Sequence, residues 1–285
     1  LYFVCSHPLL ICISSAAIRC STAFHLFVSL DTSLAVNLLF VNNMKDKISV
    51  VINTRNASRH LEKVLQAAKG FDEIVVCDME STDNTVEIAN KYGCKVVTFP
   101  KRDYVSAEPA RNFAIQSASS YWVLVVDADE LITDDLRNYL YERIKEPDCP
   151  AGIYIPRKNY VMNKFIKQTY PDPQLRFFKR DGSDWPPYVH TYVKVDGRTD
   201  KIPPQRMELA LIHISDTVYD QLYKMNQYTE NEVVKKGNVK VGVFKIFFKC
   251  THRFIKSYIL KGGFRHGIRG LVYAVNDANY KFYTL

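Results

Sequence analysis

Between residues 48 and 145, four short apolar runs alternate with segments of helical periodicity, and this alternation restricts the fold more than any other feature of the sequence. The runs are rich in β-branched residues, which is typical of strands buried on both faces. Strands that alternate with short helices form right-handed βαβ units. The pattern therefore predicts an α/β fold with a mostly parallel sheet. The four runs are ISVVIN (48–53), DEIVVCD (72–78), CKVVTF (94–99) and YWVLVVD (121–127).

The segments between these runs carry helix signals. Apolar residues recur at helical spacing from Leu61 to Ala68, and Asn56 or Ser58 is predicted to cap that helix. Asp83 is predicted to cap the second helix. After about residue 147 the alternation fades, and GIYIPRKNYVMN, QLRFFKR and YVHTYVKV predict further strands, some of them antiparallel.

Polar residues follow three of the predicted strands at the edge where parallel sheets bind ligands. These groups are residues 53–56, 78–83 and 127–130. The chain has no GxGxxG after its first strand and no GxxxxGK[ST], so a glycine-rich loop does not hold phosphate here. A divalent cation bound by carboxylates can neutralise a diphosphate instead.

The triplet DAD at the end of the fourth strand is the candidate for that cation site. Alternation along an extended chain predicts that Asp127 and Asp129 point to the same side, where Mg²⁺ or Mn²⁺ would compensate them. Such triplets also arise by chance, and the alternative is an acidic cluster at the N-terminus of the helix that follows.

Four ordered motifs, ISVVINTRN, VVCDMESTDNT, EPARNFAI and VLVVDADE, resemble family 2 glycosyltransferases with the GT-A fold over residues 46–145. The later PDPQLRFFKR, YVH, LIHIS and YILKGGFRHGIRG resemble the WaaE-type branch of lipopolysaccharide core glucosyltransferases. Two positions depart from the pattern. Arg55 stands where an aromatic residue is common, and His266 stands where the branch tends to have an acidic residue before glycine.

The resemblance implies donor-binding or metal-binding roles for seven residues, and a UDP-sugar as the donor. Asp129 would bind the metal ion directly, and His213 would be a further ligand, with His190 as its substitute. A core histidine held by a hydrogen bond is the alternative for His213. The donor-binding residues implied by the resemblance are Thr54, Asn56, Asp78, Arg111 and Asp127.

A transfer with inversion needs a base that takes the proton of the acceptor hydroxyl. Asp172 in PDPQLR is the candidate, and Gln174 and Arg176 could orient sugar or phosphate beside it. Glu130 and Asp184 are rival candidates. The alternative for Asp172 is a turn residue, since prolines flank it.

The resemblance also organises the chain. We predict a glycosyltransferase domain over residues 44–236, with a nucleotide-sugar half (44–146) and an acceptor half (147–236). Residues 1–43 are apolar and are interpreted as upstream or poorly structured sequence, with a poor membrane anchor as the alternative. In residues 237–285, basic and apolar residues interleave, which suits either an anionic membrane surface or helices packed on the domain with a basic outer face.

The function that the resemblance implies is inverting transfer of a hexose such as glucose from a UDP-sugar to a glycan or glycolipid acceptor in cell-envelope polysaccharide or lipopolysaccharide synthesis. The expected location is the cytoplasm, peripherally at the inner face of the cytoplasmic membrane. A sugar-nucleotide nucleotidyltransferase and a non-catalytic membrane-surface module are the alternatives. The net charge of +8 allows nucleic-acid binding, but no zinc spacing or RNP-like motif supports it.

Overall fold

A computed structural model of the chain describes residues 46–104, 107–187, 192–219, 221–223, 225, 226, 229, 232 and 241–285. The predicted leader (1–43) and His190 lie outside the described residues, so no structural account of them is given.

The first half alternates strands and helices as the sequence predicts. Each β-branched run becomes a strand because it can bury both of its faces. The elements are β1 (Ile48–Thr54), α1 (Ser58–Ala67), β2 (Glu73–Asp78), α2 (Thr85–Lys91), β3 (Lys95–Thr98), α3 (Glu108–Gln116), β4 (Trp122–Asp127), β5 (Glu130–Leu131) and α4 (Asp134–Arg143).

The second half contributes short strands and two turns of 3₁₀ helix. Its elements are β6 (Gly152–Ile155), β7 (Arg157–Val161), β8 (Lys164–Phe165), 3₁₀ turns at Lys167–Thr169 and Met207–Leu209, β9 (Gln174–Lys179), β10 (Thr199–Lys201) and β11 (Leu211–His213). The described residues between 218 and 232 are helical. Of the predicted strand YVHTYVKV (188–195), residues 188–191 lie outside the described residues, and residues 192–195 form only an isolated bridge, between Lys194 and Asp184, rather than a strand.

Seven strands form one sheet in the order β10-β6-β9-β4-β1-β2-β3. Strands β1 to β4 are parallel, and β9 enters antiparallel to β4 and β6. Four shorter pieces form a second sheet in the order β5-β11-β7-β8. The predicted fold class, a mostly parallel first half joined to a mixed second half, is confirmed.

The main sheet is covered on both faces by apolar side chains. On one face Ile52 packs with Leu61 and Leu136 from the helices, and on the other Val51 packs with Ala114. Both faces are closed, so only the edge formed by the strand ends can present polar groups to a ligand.

The C-terminal region folds into two helices, α5 (Val243–Ile255) and α6 (Ile268–Tyr283), joined by a π-helical turn (Lys256–Leu260) and a 3₁₀ turn (Gly263–His266). Arg253 Nε lies 2.8 Å from Asp277 Oδ2 and joins the two helices. No described helix combines the length and apolar character needed to cross a membrane.

Candidate functional site

The register of the parallel strands gathers the polar residues at one edge of the sheet. Asn53 at the end of β1 lies beside Asp127 of β4, and Thr54 lies beside Asp78 of β2. Asn53, Thr54, Asp78 and Asp127 therefore lie together where β1, β2 and β4 end.

Asp78 is buried and held by its neighbours. Its Oδ1 accepts a hydrogen bond from Thr54 Oγ1 at 3.0 Å and another from the Ser81 hydroxyl. Its Oδ2 accepts from the backbone N–H of Ser81 at 2.9 Å. A carboxylate offers about four lone-pair positions, so Asp78 retains capacity for one more donor.

Asn56 connects the loops that follow β1 and β2. It has a φ of 48°, in the left-handed region that asparagine tolerates better than most residues. Its backbone N–H donates to Ser81 Oγ at 2.8 Å, and its Oδ1 accepts from the backbone N–H of Thr82 at 2.8 Å. The amide is committed to fixing the two loops.

Asp83 accepts hydrogen bonds from the first residue of two helices, although the cap position of α2 is Asn84 and not Asp83 as predicted. Its Oδ1 accepts from the backbone N–H of Thr85 in α2 at 3.1 Å, and its Oδ2 accepts from the backbone N–H of Ser58 in α1 at 3.1 Å. The prediction that Asn56 or Ser58 caps α1 with its side chain is wrong, since the cap position is Ala57 and the acceptor comes from another loop. Burial opposes ionisation, but the hydrogen bonds from Thr85 and Ser58 lower the pKa of Asp83 to about 2.

Asp127 lies between two arginines. Arg111 Nη2 from α3 donates to its Oδ1 at 2.8 Å, and Arg176 Nη2 from β9 donates to its Oδ2. Burial alone would raise the pKa of Asp127, but Arg176 and Arg111 outweigh it and hold the pKa well below its usual range. Asp127 is therefore a permanent carboxylate whose charge is balanced inside the protein.

Several buried donors around this carboxylate have no partner among the described residues. The guanidinium carbon of Arg111 lies 4.6 Å from the ring centre of Trp185, and the unpartnered atoms include Arg111 Nε and Nη1 and Trp185 Nε1. Neither polar atom of the buried Asn53 side chain has a partner within the same residues. Buried polar groups left unpaired are rare in folded proteins and need an explanation, such as water or a ligand.

Asp129 and His213 meet although 84 residues separate them in sequence. Asp129 Oδ2 lies 3.5 Å from His213 Nε2, and the Asp129 carbonyl accepts from the backbone N–H of Ile214 at 2.8 Å. The alternation argument from sequence is wrong in its detail, because β4 ends at Asp127 and residues 128 and 129 form a turn. Asp127 faces arginines and Asp129 faces a histidine.

A chain of hydrogen bonds fixes the state of the His213 ring. Asp172 Oδ2 accepts from Asn159 Nδ2 at 3.0 Å, which turns Asn159 Oδ1 toward His213 Nδ1 at 2.8 Å. An amide oxygen only accepts, so Nδ1 carries the proton, and the lone pair of a neutral ring is on Nε2, beside Asp129. Carboxylate and imidazole form a donor set that suits a divalent cation such as Mn²⁺.

Among the described residues, no three His, Cys, Asp or Glu side chains come together closely enough to hold a metal ion by themselves. Mg²⁺ commonly takes one or two carboxylates from the protein and completes its shell with water and substrate phosphates. The pair Asp129 and His213 fits that mode of binding.

Arg157 connects the two remaining acidic candidates. Its Nη1 donates to Glu130 Oε1 at 2.9 Å, and its Nε and Nη2 donate to Asp172 Oδ2 at 2.9 and 2.7 Å. Glu130 is fully buried and also accepts from the backbone N–H of Asp127 at 3.0 Å. Glu130 is therefore built into the framework behind the site.

Asp172 stands in a strained and strongly bonded position. Its φ is 40°, and Gln174 Nε2 donates to its Oδ1 at 3.0 Å. Burial would raise the pKa of Asp172, but Arg157 and the hydrogen bonds from Asn159 and Gln174 lower it. The rival Asp184 is exposed and accepts from Asn112 Nδ2 at 2.8 Å, on the side of Trp185.

Sequence reasoning missed the residues that orient the site. These are Asn159, Arg157 and Trp185, together with His60, whose pKa is lowered by burial although Asp216 and Asp129 oppose the shift. Asn53 belongs to the predicted polar group 53–56, although the sequence assigned it no role. The others contact the site through pairings between distant segments.

Comparison with known proteins finds a matching sequence profile and similar proteins. Residues 49–195 match the sequence profile of "Glycosyl transferase family 2". An uncharacterized glycosyltransferase of Rickettsia bellii is 39% identical over 84% of this chain and 85% of its own. The lipopolysaccharide core biosynthesis glycosyltransferase LpsC of Rhizobium meliloti is 25% identical over 83% of this chain and 90% of its own.

Solved structures show more distant likeness. The S. aureus TarS 1–349 structure in complex with UDP has a TM-score of 0.44 and 17% identity, over 78% of this chain and 75% of that one. The glucosyl-3-phosphoglycerate synthase of Mycobacterium tuberculosis in complex with Mn²⁺, UDP and glucosyl-3-phosphoglycerate has a TM-score of 0.33 and 22% identity, over 40% of this chain and 43% of that one.

Proposed function

Because this chain belongs to glycosyltransferase family 2, we propose that it transfers a hexose, such as glucose, from a UDP-sugar to a glycan or glycolipid acceptor with inversion at the anomeric carbon. The observation that carries this proposal is the convergence of Asp129 and His213 at the edge where β1, β2 and β4 end. A donor diphosphate held there lies at the edge where such sheets bind ligands.

The nucleotide would lie along the ends of β1 and β2. Asp78 has an acceptor position left for the N–H of uracil, and Thr54 and Asn56 hold its surroundings in place. The unpartnered donors of Arg111 and the unpartnered amide of Asn53 suit ribose or diphosphate oxygens beside Asp127. A ligand there would satisfy groups that the protein leaves unpaired.

A Mg²⁺ or Mn²⁺ ion would be held by Asp129 with His213 as its second protein ligand. When bound, the ion would neutralise charge on the leaving diphosphate. Asp127, already balanced by Arg111 and Arg176, would shape the pocket and contact the ribose.

Asp172 remains our proposal for the base. The acceptor hydroxyl oxygen attacks the anomeric carbon, the bond from that carbon to the diphosphate oxygen breaks, and UDP leaves with the electron pair. The hydroxyl proton passes to a carboxylate oxygen of Asp172. Arg157 lowers the proton affinity of Asp172, so it is ionised at neutral pH and takes the proton only as the acceptor oxygen gains positive charge.

The acceptor would bind to the second half of the domain, which carries Asp172. Similarity to a lipopolysaccharide core enzyme along nearly the whole chain supports a cell-envelope glycan or glycolipid. We propose that the protein works from the cytoplasm, peripherally at the inner face of the membrane where such precursors are assembled.

Calorimetry with UDP in the presence and absence of Mn²⁺ tests the proposal. We expect metal-dependent binding, which Asp129→Ala abolishes and the exposed Asp135→Ala leaves unchanged. Labelled UDP-sugars with membrane extracts would then identify the donor. Equal binding of UDP with and without Mn²⁺ would refute the role of Asp129, and failure of every UDP-sugar to react would refute the proposed reaction.

A further inference from the structure

Helix α5 turns large apolar side chains toward solvent. None of its residues is buried, and Phe244 and Phe248 are 93% and 72% exposed. Phe244, Phe248 and Ile255 lie on one side of the helix, because positions four and eleven apart fall on the same face. Leu260, just beyond the helix, is 73% exposed. A contiguous apolar stripe of this kind marks an interaction surface.

Basic residues accompany this stripe in a regular way. In a helix a step of one residue turns by about 100°, so Lys245 and Lys249 of α5 and Lys256, the next residue after it, form a row along one flank of the apolar side chains. The same succession of apolar and basic residues continues through the turns to the start of α6. The pairs are Phe244-Lys245, Phe248-Lys249, Ile255-Lys256, Leu260-Lys261, Phe264-Arg265 and Ile268-Arg269.

The opposite side of the two-helix unit is fastened to the domain. A Cβ built on Gly263 would lie 2.6 Å from Gln168 Oε1 of the domain, and one built on Gly270 of α6 would lie 2.9 Å from it, so the two glycines let the unit approach Gln168 closely. Gln168 Nε2 donates to the Gly270 carbonyl at 3.3 Å and to Ser257 Oγ at 3.4 Å. The backbone N–H of Lys167 donates to His266 Nε2 at 3.1 Å. The unit has a docked side, so its apolar stripe is a second, separate surface.

We propose that this stripe, the lipid face, docks on an anionic bilayer surface. The lipid face consists of Phe244, Phe248, Ile255, Leu260, Phe264 and Ile268 with the basic residue that follows each of them. Aromatic and aliphatic side chains at the headgroup boundary with flanking lysines are the composition of an interfacial helix. Residues 240–285 carry nine Lys and Arg against one Asp, so pairing with a second copy would oppose like charges. This inference deepens the proposed function by naming the surface that would hold the protein at the membrane.

The lipid face is mechanically tied to the acceptor half. Gln168 lies four residues before Asp172 in the chain, and Tyr273 of α6 is close enough to Asp172 and Arg157 for their charges to act on it. Burial, with Asp277 and Asp172, raises the pKa of Tyr273 to about 12. A bilayer bound by the lipid face would therefore be fastened to the part of the domain that would meet a lipid-linked acceptor.

Flotation of the full chain with vesicles of phosphatidylcholine alone, or of phosphatidylcholine with phosphatidylglycerol, tests the proposal. We expect strong binding to the anionic vesicles only. The double variant Phe244→Ser/Phe248→Ser should weaken it by roughly tenfold or more. The variant Lys245→Glu/Lys249→Glu/Lys256→Glu should weaken it by at least about fivefold per position.

Matched controls separate the face from bulk properties. Phe113→Ser removes an exposed aromatic side chain from α3, and the variant Lys69→Glu/Lys91→Glu/Lys145→Glu makes the same change in net charge on the nucleotide half. Both should leave flotation near the wild-type level. Thermal unfolding confirms that each variant folds.

Three outcomes would overturn the proposal: no binding to anionic vesicles, equal loss in the control variants, or a dimer in sedimentation that Phe244→Ser/Phe248→Ser converts to a monomer without any vesicle binding. Calorimetry with UDP and Mn²⁺ on the same proteins tests the donor site separately. A protein that binds UDP but not anionic vesicles would refute the lipid face and leave the proposed reaction standing. The donor site and the lipid face share no residues, so each can be refuted alone.

Discussion

We predict that Asn159 controls the affinity of the proposed metal site, although Asn159 is not one of the metal ligands. Its amide nitrogen lies 3.0 Å from Asp172 Oδ2, and its amide oxygen lies 2.8 Å from His213 Nδ1. The bond to Asp172 therefore determines which end of the amide faces His213. In Asn159→Leu the His213 ring loses its acceptor at Nδ1, and the proton can move to Nε2, where it blocks metal binding. Losing a partner of this kind commonly costs 10- to 100-fold in metal affinity, or about 1.4–2.7 kcal/mol.

The assay is calorimetric titration of Mn²⁺ into the protein saturated with UDP. Gln174→Leu is the matched control, since it removes one hydrogen bond of 3.0 Å from Asp172 without touching His213. We expect Asn159→Leu to approach the weak binding of His213→Ala, and Gln174→Leu to stay close to wild type.

The reasoning would be refuted if Asn159→Leu bound Mn²⁺ within about twofold of wild type while His213→Ala lost binding. His213 would then be a ligand whose orientation does not depend on Asn159. If Gln174→Leu weakened Mn²⁺ as much as Asn159→Leu, the effect would come from Asp172 rather than from the ring.

Two further predictions concern stability, both measured by urea unfolding. Arg157→Met should cost about 3 kcal/mol, because the fully buried Glu130 loses its closer cationic partner, whereas Arg206→Met, in an exposed pair, should leave the stability close to that of the wild type. Asp83→Ala should cost about 1–2 kcal/mol because it uncaps two helices, against a few tenths for the exposed Asp134→Ala. Because the folded pKa of Asp83 is about 2, below its unfolded value, its contribution is present above about pH 4 and is lost as the pH falls through 2. Equal costs for a variant and its control, or an Asp83 contribution that persists at pH 2, would contradict these predictions.

The strands and helices of the first half could be predicted because local sequence determines them. A run such as YWVLVVD has few alternatives to a buried strand, and parallel pairing brings the ends of such strands to one edge. The polar positions at that edge, including Asp78 and Asp127, followed from this rule. Their placement needed no knowledge of contacts between distant segments.

The arrangement around the edge could not be predicted in the same way. The contact of Arg157 with Glu130 spans 27 residues, and that of His213 with Asn159 spans 54. Neither has a local signal, because the partners meet only when β11 pairs with β7 and with β5. Extended alternation also failed for Asp129, since a tight turn after β4 replaces the strand.

For the C-terminal region, the structure shows packing on one side of the two-helix unit, and binding of a membrane by the other side stays a proposal. The sequence left open a membrane surface or packed helices, and the structure shows packing at Gly270 and an apolar stripe along α5. A pattern of alternating basic and apolar residues cannot separate these, since each surface needs only part of the helix circumference.

The packing of Gln168 against Gly263 and Gly270 has a consequence for which sugar of an acceptor would be reached. Gln168 lies against both glycines and donates to the Gly270 carbonyl, so the height of Asp172 above a docked bilayer would be set by packing within the fold rather than by a linker. An enzyme of this kind would select its acceptor sugar by distance from the membrane. It would extend a lipid-anchored glycan only at the sugar that lies at the height of Asp172. It would not act on chemically identical sugars nearer to the lipid or farther from it.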